Sequence, residues 1–224
     1  MATIPPSLRD IQRSIARDVI LEDQLPIENI KRIGAFDCAQ MGDKLVCAAI
    51  VIEYPSMKVI ERKNLIKRAP MPYIPGYLAF REGPLMLELY YQLENDPDVL
   101  MVDGHGVAHP VGCGIACYIG VELHKPTLGV AKSLLLGQVE GEDITLDGAK
   151  VGKVVQTRQF AKPVFVTPGH LISIETAAEL AKRCVVPPHK LPEPVHIAHR
   201  LASKARDRLV EELQGKPPMA KEEQ

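Results

Sequence analysis

Three acids and a lysine stand where the backbone of this chain is most constrained: the acids could hold a hard divalent cation, and the lysine could bind a phosphate beside it. Asp103 closes the apolar run Val99-Leu-Met-Val-Asp103 and opens the glycine-rich stretch Asp103-Gly-His-Gly106. Asp37 closes another strand-like run, Arg32 to Asp37. Glu82 sits in Phe80-Arg-Glu-Gly-Pro84, shortly after the rigid segment Pro72-Tyr-Ile-Pro-Gly76. Lys132 follows the apolar run Thr127 to Ala131. If these runs are neighbouring strands, Asp37 and Asp103 converge at one sheet edge and Glu82 can add a third oxygen. Oxygen ligands without a thiolate pair suit Mg²⁺ or Mn²⁺, which take their remaining ligands from water and substrate phosphates. Such ions orient an attacking water and stabilise charge developing on a phosphate. Each acid also has a plainer reading: an Asx-turn residue at Asp103, a surface turn acid at Asp37, a helix-start charge at Glu82.

The other candidates are more ambiguous. His105 and His109 have the i, i+4 spacing of a helical zinc pair, but Gly104, Gly106 and Pro110 oppose a helix and no Glu follows the first His. His109 can instead contact a phosphate, orient a ligand or serve a turn. Lys132 can bind phosphate or be a solvated lysine. His196 and His199 fall on the last predicted helix, and spacing singles out neither. Tyr73, between Pro72 and Ile74-Pro75, makes a rigid apolar tip that can wedge between bases or stack on a displaced one. A tyrosine packed under its own loop fits the same residues. Lys58, Arg62, Lys63, Lys67 and Arg68 form a basic cluster just before that tip, which could lead phosphates towards it.

Periodicity and punctuation supply the elements that must carry these residues. A capping box at Ser7-Leu-Arg-Asp10 predicts an amphipathic helix to about Ile20. Arg32 to Asp37, Leu45 to Glu53 and Met57 to Leu65 predict an antiparallel meander, because their connections are short. A helix is expected from Leu85 to Leu93 with Gly83-Pro84 at its start, where Pro is tolerated. Val99 to Asp103 and Thr127 to Ala131 read as buried strands. Val111 to Glu122 reads as a helix between them. Asp147-Gly148 predicts a hairpin within Ile144 to Val155, and Val164-Phe-Val166 a further strand before a Thr167-Pro-Gly169 turn. Ser173 caps a helix to Arg183, and a last helix runs from about Val195 to Leu213. The expected fold is α/β: a mixed sheet with helices on both faces. Residues 1–214 are expected to form a single domain and 215–224 a disordered tail.

Composition bounds the class. The chain has 224 residues, 46% of them hydrophobic, only 4% aromatic and no Trp, so aliphatic side chains must fill a sizeable core. A net charge of −1 means that any nucleic-acid binding rests on a local basic patch. Five cysteines without CxxC spacing favour reduced thiols. No leader-like or membrane-spanning run is seen, so a cytoplasmic protein with no membrane partner is expected.

One resemblance gathers these pieces. Pro72-Tyr-Ile-Pro-Gly76, Phe80-Arg-Glu-Gly-Pro84, Asp103-Gly-His-Gly106, Ala108-His-Pro110, Pro126-Thr-Leu-Gly-Val-Ala-Lys-Ser133, Pro168-Gly-His170 and Glu175-Thr-Ala-Ala178 occur in this order. The set resembles the endonuclease V family, nucleases for deaminated bases with an RNase H-like fold, from about Ile33 to His199. The resemblance implies that Asp37, Glu82 and Asp103 hold Mg²⁺, with Mn²⁺ as a substitute. It implies that His199, in Ile197-Ala-His199, is a late catalytic histidine and that Lys132 serves catalysis or phosphate binding. Tyr73 would be a strand-separating wedge, with Pro72, Ile74, Gly76, Gly106, His109 and Lys132 also on the nucleic acid. The implied substrate is DNA carrying deaminated bases, chiefly the hypoxanthine of inosine, with inosine-containing RNA as a further candidate. The implied reaction cuts the second phosphodiester bond 3′ to the lesion and leaves 3′-hydroxyl and 5′-phosphate ends. A monomer is expected. Val111-Gly112, Tyr118 and Leu171 depart from residues common in the family, which bears on affinity and polymer preference. An RNase H-type nuclease without base specificity, or a non-catalytic nucleic-acid-binding module, would share much of this pattern.

Overall fold

A computed structural model describes residues 6–158 and 160–214. The N-terminal helix α1 (Pro6–Asp18) precedes three long strands, β1 (Arg32–Met41), β2 (Lys44–Glu53) and β3 (Val59–Arg68). Then come α2 (Leu78–Tyr90), β4 (Val99–Asp103), α3 (Ile115–Leu123) and β5 (Thr127–Ala131). Four further strands follow: β6 (Gln138–Glu140), β7 (Asp143–Leu146), β8 (Ala149–Val155) and β9 (Val164–His170). Helices α4 (Ile174–Arg183) and α5 (Glu193–Leu213) close the described chain.

All the strands join one sheet in the order β3-β2-β1-β4-β5-β9-β8-β7-β6. The β1–β2–β3 meander is antiparallel, β4 and β5 run parallel to β1, and β9 turns antiparallel again against β5. The central strands are buried on both faces, which is why β4 and β5 read as unbroken apolar runs. On one face Ile33, Ala35, Ile50, Met101, Leu180, Val195 and Ala198 build the core beneath α4 and α5. On the other, Phe36, Cys47, Leu100, Met86, Leu89 and Ile119 build the core beneath α2 and α3. Alternation along β1 therefore puts Asp37 on the α5 side and Cys38 on the α2 side.

Several expectations change. Strand β1 runs past Asp37 to Met41, because Cys38 to Met41 keep pairing with β2, so Asp37 sits in mid-strand and not at its exit. Helix α2 begins at Leu78, so Pro84 lies inside it and Glu82 is its fifth residue, not a helix-start charge. The packing of Ala79, Arg81, Gly83, Leu85, Met86 and Leu89 outweighs the hydrogen bond that Pro84 cannot make. Residues Thr167 to Gly169 form no turn but continue β9 to His170. Strand β8 pairs only with Val164 to Val166, so Pro168 has no ladder to feed on that side. Helix α3 starts at Ile115, because the Val111–Gly114 segment is spent on turns instead. Strand β6, a short exposed edge, carries too little apolar pattern to read from sequence. Helix α1 starts at Pro6, ahead of the Ser7 capping box, and the side chain of Ser7 and the 215–224 tail lie outside the described residues.

Candidate active site

Strands β1 and β4 are parallel neighbours, and that pairing brings their two acids together. Phe36 pairs with Val102, so Asp37, in the middle of β1, lies level with Asp103 at the end of β4. Helix α5 packs over β1 on the face that carries Asp37 and presents His199 to it. Asp37, Asp103 and His199 each offer a ligand atom, and these atoms lie within 4.8 Å of one another. Among the described residues no other His, Cys, Asp and Glu group meets that condition, so His105 and His109 form no zinc pair.

Each member is held by a specific contact. Asp37 Oδ1 accepts the Cys38 N–H at 2.8 Å, and Oδ2 accepts the His199 Nδ1–H at 2.6 Å. That second bond selects the histidine tautomer whose Nε2 carries the free lone pair. Lys132 Nζ donates to Asp103 Oδ2 at 3.3 Å, so the residue after β5 joins the same group. Glu82 approaches from α2, outside the tight trio but within reach of its field. Burial, then the Asp37 and Asp103 carboxylates, push the Glu82 carboxyl up to about 8, against the pull of Arg81. Burial and Asp103 likewise raise Asp37, against the His199 contact. Carboxylates that resist ionising beside one another are the condition a divalent cation relieves, and an oxygen-rich set with one imidazole suits a hard ion. The residues present fit Mg²⁺ or Mn²⁺.

Pro72 and Tyr73 of the Pro72–Gly76 loop line a cleft with Gln40 of β1, Arg68 of β3 and Arg81 of α2. Pro72 is exposed, Ile74 half-buried, and Tyr73 is 60% exposed, so it does not pack beneath its own loop. Arg81 is 4% exposed and donates to the Met71 carbonyl, which fixes the start of the loop. Gly76 has φ +83°, a conformation other residues adopt only with strain. Its carbonyl accepts from His109 Nε2 at 3.0 Å and from Gln12 Nε2 at 3.0 Å. Sequence reasoning passed over both Arg81 and Gln12, a buried arginine beside Glu82 and a lone amide beside apolar helix positions.

The placement of several candidates differs from expectation. His109 is 5% exposed and is spent on Gly76, so it faces no phosphate in this conformation. Burial lowers its pKa, leaving a neutral ring with the proton on Nε2. Gly106 lies against β9, where a Cβ would meet the Pro168 carbonyl oxygen at 1.9 Å. Its N–H donates to Thr167 Oγ1 at 2.7 Å, and the Gly104 N–H is bound to Val130, so neither amide is free to read a base edge. The basic cluster is split by strand alternation. Lys63 pairs with Glu94 at 2.9 Å, Lys67 with Glu88 at 2.6 Å and Arg68 with Asp43 at 3.1 Å, while Arg62 lines a cleft with Arg200 and Lys204 on the α5 face. Of this cluster, Arg68 lines a cleft together with Pro72 and Tyr73. The three departures from the family pattern pack inward: Tyr118 lies edge-on to Phe80, Val111 packs near Ile15 and Cys113, and Leu171 is buried.

Comparison with known proteins decides the family. The family model for endonuclease V matches residues 13–200. This chain belongs to the endonuclease V family. It is 38% identical to endonuclease V of Archaeoglobus fulgidus over 90% of this chain and 93% of that one. It is 40% identical to endonuclease V of Thermofilum pendens, over 87% and 86% of the two chains. The endonuclease V structure from Streptomyces avermitilis superposes with a TM-score of 0.86 at 29% identity, over 93% of this chain and 96% of that one. Endonuclease V of Ciona intestinalis, solved with a 24mer DNA containing an inosine followed by a ribo-adenosine, gives 0.84 at 26% identity over 91% and 98%. The endonuclease V fold is thereby shown, and the chain is a nuclease. No described helix is long and apolar enough to cross a membrane.

Proposed function

We propose that this endonuclease V hydrolyses the second phosphodiester bond 3′ to a deaminated base, chiefly the hypoxanthine of inosine, in DNA, with inosine-containing RNA as a further candidate substrate. The cut leaves 3′-hydroxyl and 5′-phosphate ends and opens the strand for repair. The observation that carries this reading is the convergence of Asp37, Asp103 and His199 within 4.8 Å, with Glu82 and Lys132 beside them. Asp37, Glu82 and Asp103 would hold the Mg²⁺ ion, with Mn²⁺ as substitute. When bound, that ion neutralises the phosphate and lowers the pKa of water in the site.

The chain's own residues then divide the work. Asp37 holds the His199 Nδ1–H, so His199 Nε2 is positioned to take a proton from the attacking water. Lys132 supplies a cation next to Asp103, where charge builds on the scissile phosphate. Tyr73, with Pro72 and Ile74, offers an apolar tip that can fill the gap left by an extruded base. Extruding inosine costs less than extruding a well-paired base, by roughly a few kcal/mol, so selectivity begins before any pocket contact. The inosine-containing DNA bound by the Ciona relative supports the choice of lesion. The five free cysteines support a reducing, cytoplasmic setting, in which the chain would act as a monomer.

The test uses labelled DNA and RNA oligonucleotides with and without one inosine, in Mg²⁺ and in chelator. Cutting confined to inosine strands, one bond beyond the 3′ neighbour and only with metal, is expected. Equal cutting of undamaged strands would point to an RNase H-type nuclease. Binding without cutting, identical in wild type and Asp103→Ala, would point to a binding module.

A further inference from the structure

The Tyr73 loop is braced from an unexpected quarter, the N-terminal helix. Gln12 on α1 is only 2% exposed, and its amide reaches two carbonyls that lie far apart in sequence. Nε2 donates to Gly76 O at 3.0 Å and to Cys113 O at 2.8 Å. Both partners are acceptors, so the NH₂ rather than the oxygen must face them, and both of its hydrogens are used. Gly76 ends the Pro72–Gly76 loop, whereas Cys113 belongs to the segment that leaves Asp103 and leads into α3. A single side chain therefore ties the end of the Tyr73 loop to the segment that follows Asp103. The second lone pair of Gly76 O is taken by His109 Nε2 at 3.0 Å. At its other end the loop is held by Arg81 on Met71 O.

We propose that Gln12 is a positioning residue for strand opening: it fixes the distance between the Tyr73 loop and the Asp103–Gly114 segment so that Tyr73 enters a duplex as a rigid wedge. This inference rests on the wedge reading of Tyr73 given above. The physical reason is the cost of ordering. A loop that must be fixed on binding loses affinity, and one already fixed does not. Gly76 needs such a brace, because glycine leaves the loop exit free to adopt many conformations. Gln12 touches no proposed metal ligand and no reacting atom, so its effect should depend on whether strands have to be parted.

Gln12→Met keeps the length and burial of the side chain and removes both donors. Cleavage of inosine in a paired duplex and in a single strand is measured for wild type and variant, with melting temperature as a check on folding. The expected result is that kcat/KM on the duplex falls about tenfold more than on the single strand, the loss of one to two hydrogen bonds' worth of preorganisation. In the Tyr73→Ala background, Gln12→Met should add little, because the two act through the same tip. Equal losses on the two substrates, or full additivity with Tyr73→Ala, would overturn the proposal in favour of a brace for the fold alone. An unchanged duplex rate would overturn it too. If wild type itself fails to cut inosine strands, the functional reading falls first, so the two failures are told apart.

Discussion

His199 shows how one contact assigns a role. Its Nδ1 is committed to Asp37 at 2.6 Å, which leaves Nε2 as the basic nitrogen. A general base of this kind contributes about 10²–10⁴-fold. Replacing it in His199→Ala should lower kcat by that order while inosine-strand affinity, measured by anisotropy in Ca²⁺, changes much less. An equal loss in binding would mean that His199 serves substrate docking and not proton transfer. Lys132 and Asp103 form the other close pair, and both were legible in sequence because each ends a short apolar run.

Two elements frame the site, and each invites a test. The Pro72–Gly76 loop has an exposed tip and buried anchors, so the tip can be altered without disturbing the frame. Tyr73→Ala should weaken binding to inosine duplexes by about 1–3 kcal/mol, the size of one base–aromatic contact. Mn²⁺ binding by calorimetry should stay the same. Unchanged duplex affinity would remove Tyr73 from the interface. Helix α2, which carries Glu82, is seated through Gly83. A Cβ there would meet the Tyr118 ring at 2.5 Å, so the ring of α3 lies directly on the backbone of α2. Gly83→Ala should cost about 1–3 kcal/mol in denaturant unfolding, the usual effect of overpacking. If stability is unchanged, Tyr118 swings aside and the α2–α3 contact does not set the position of Glu82.

At the scale of the whole molecule, the acids couple metal binding, pH and stability. The Glu82 carboxyl is raised from its ordinary 4.5 to about 8 by burial and by Asp37. A raised carboxyl binds its proton more tightly in the folded state than in the unfolded chain. Its stabilising share is thus full below pH 4.5 and is lost as pH rises through about 8. The metal-free protein should therefore lose stability between about pH 5 and 8, and Glu82→Gln should flatten that slope. Metal requires the deprotonated form, so Mn²⁺ affinity should rise over the same window with release of a proton. Saturating Mn²⁺ should then raise the melting temperature most at the alkaline end. A flat melting profile in the metal-free protein, identical in Glu82→Gln, would show that Glu82 is not forced to share its proton in this way.

By itself the sequence determined the pieces whose meaning is local. Asp103 ends a strand because an apolar run stops at it, whereas β1 runs on past Asp37 to Met41. Tyr73 stands on a rigid tip because prolines flank it, and helices on both faces follow from the alternation of strand and helix patterns. Family resemblance added the roles of Glu82 and His199, which spacing alone left open. What the tertiary structure decided is which of these residues meet. Asp37 and His199 are 162 positions apart and touch only because α5 packs across the face of β1. Gln12 reaches Gly76 and Cys113, 64 and 101 positions away, through a helix whose own pattern says only that it is amphipathic. His109 and Gly106 lie in the right motif, yet one is consumed by a carbonyl and the other by close packing. The basic residues before Tyr73 cluster in sequence, but strand alternation sends them to opposite faces, and Lys63, Lys67 and Arg68 enter ion pairs. Local pattern fixes a residue's backbone and its preference for burial. Contact between distant residues depends on strand order and helix crossing, which are set by the packing of the whole core.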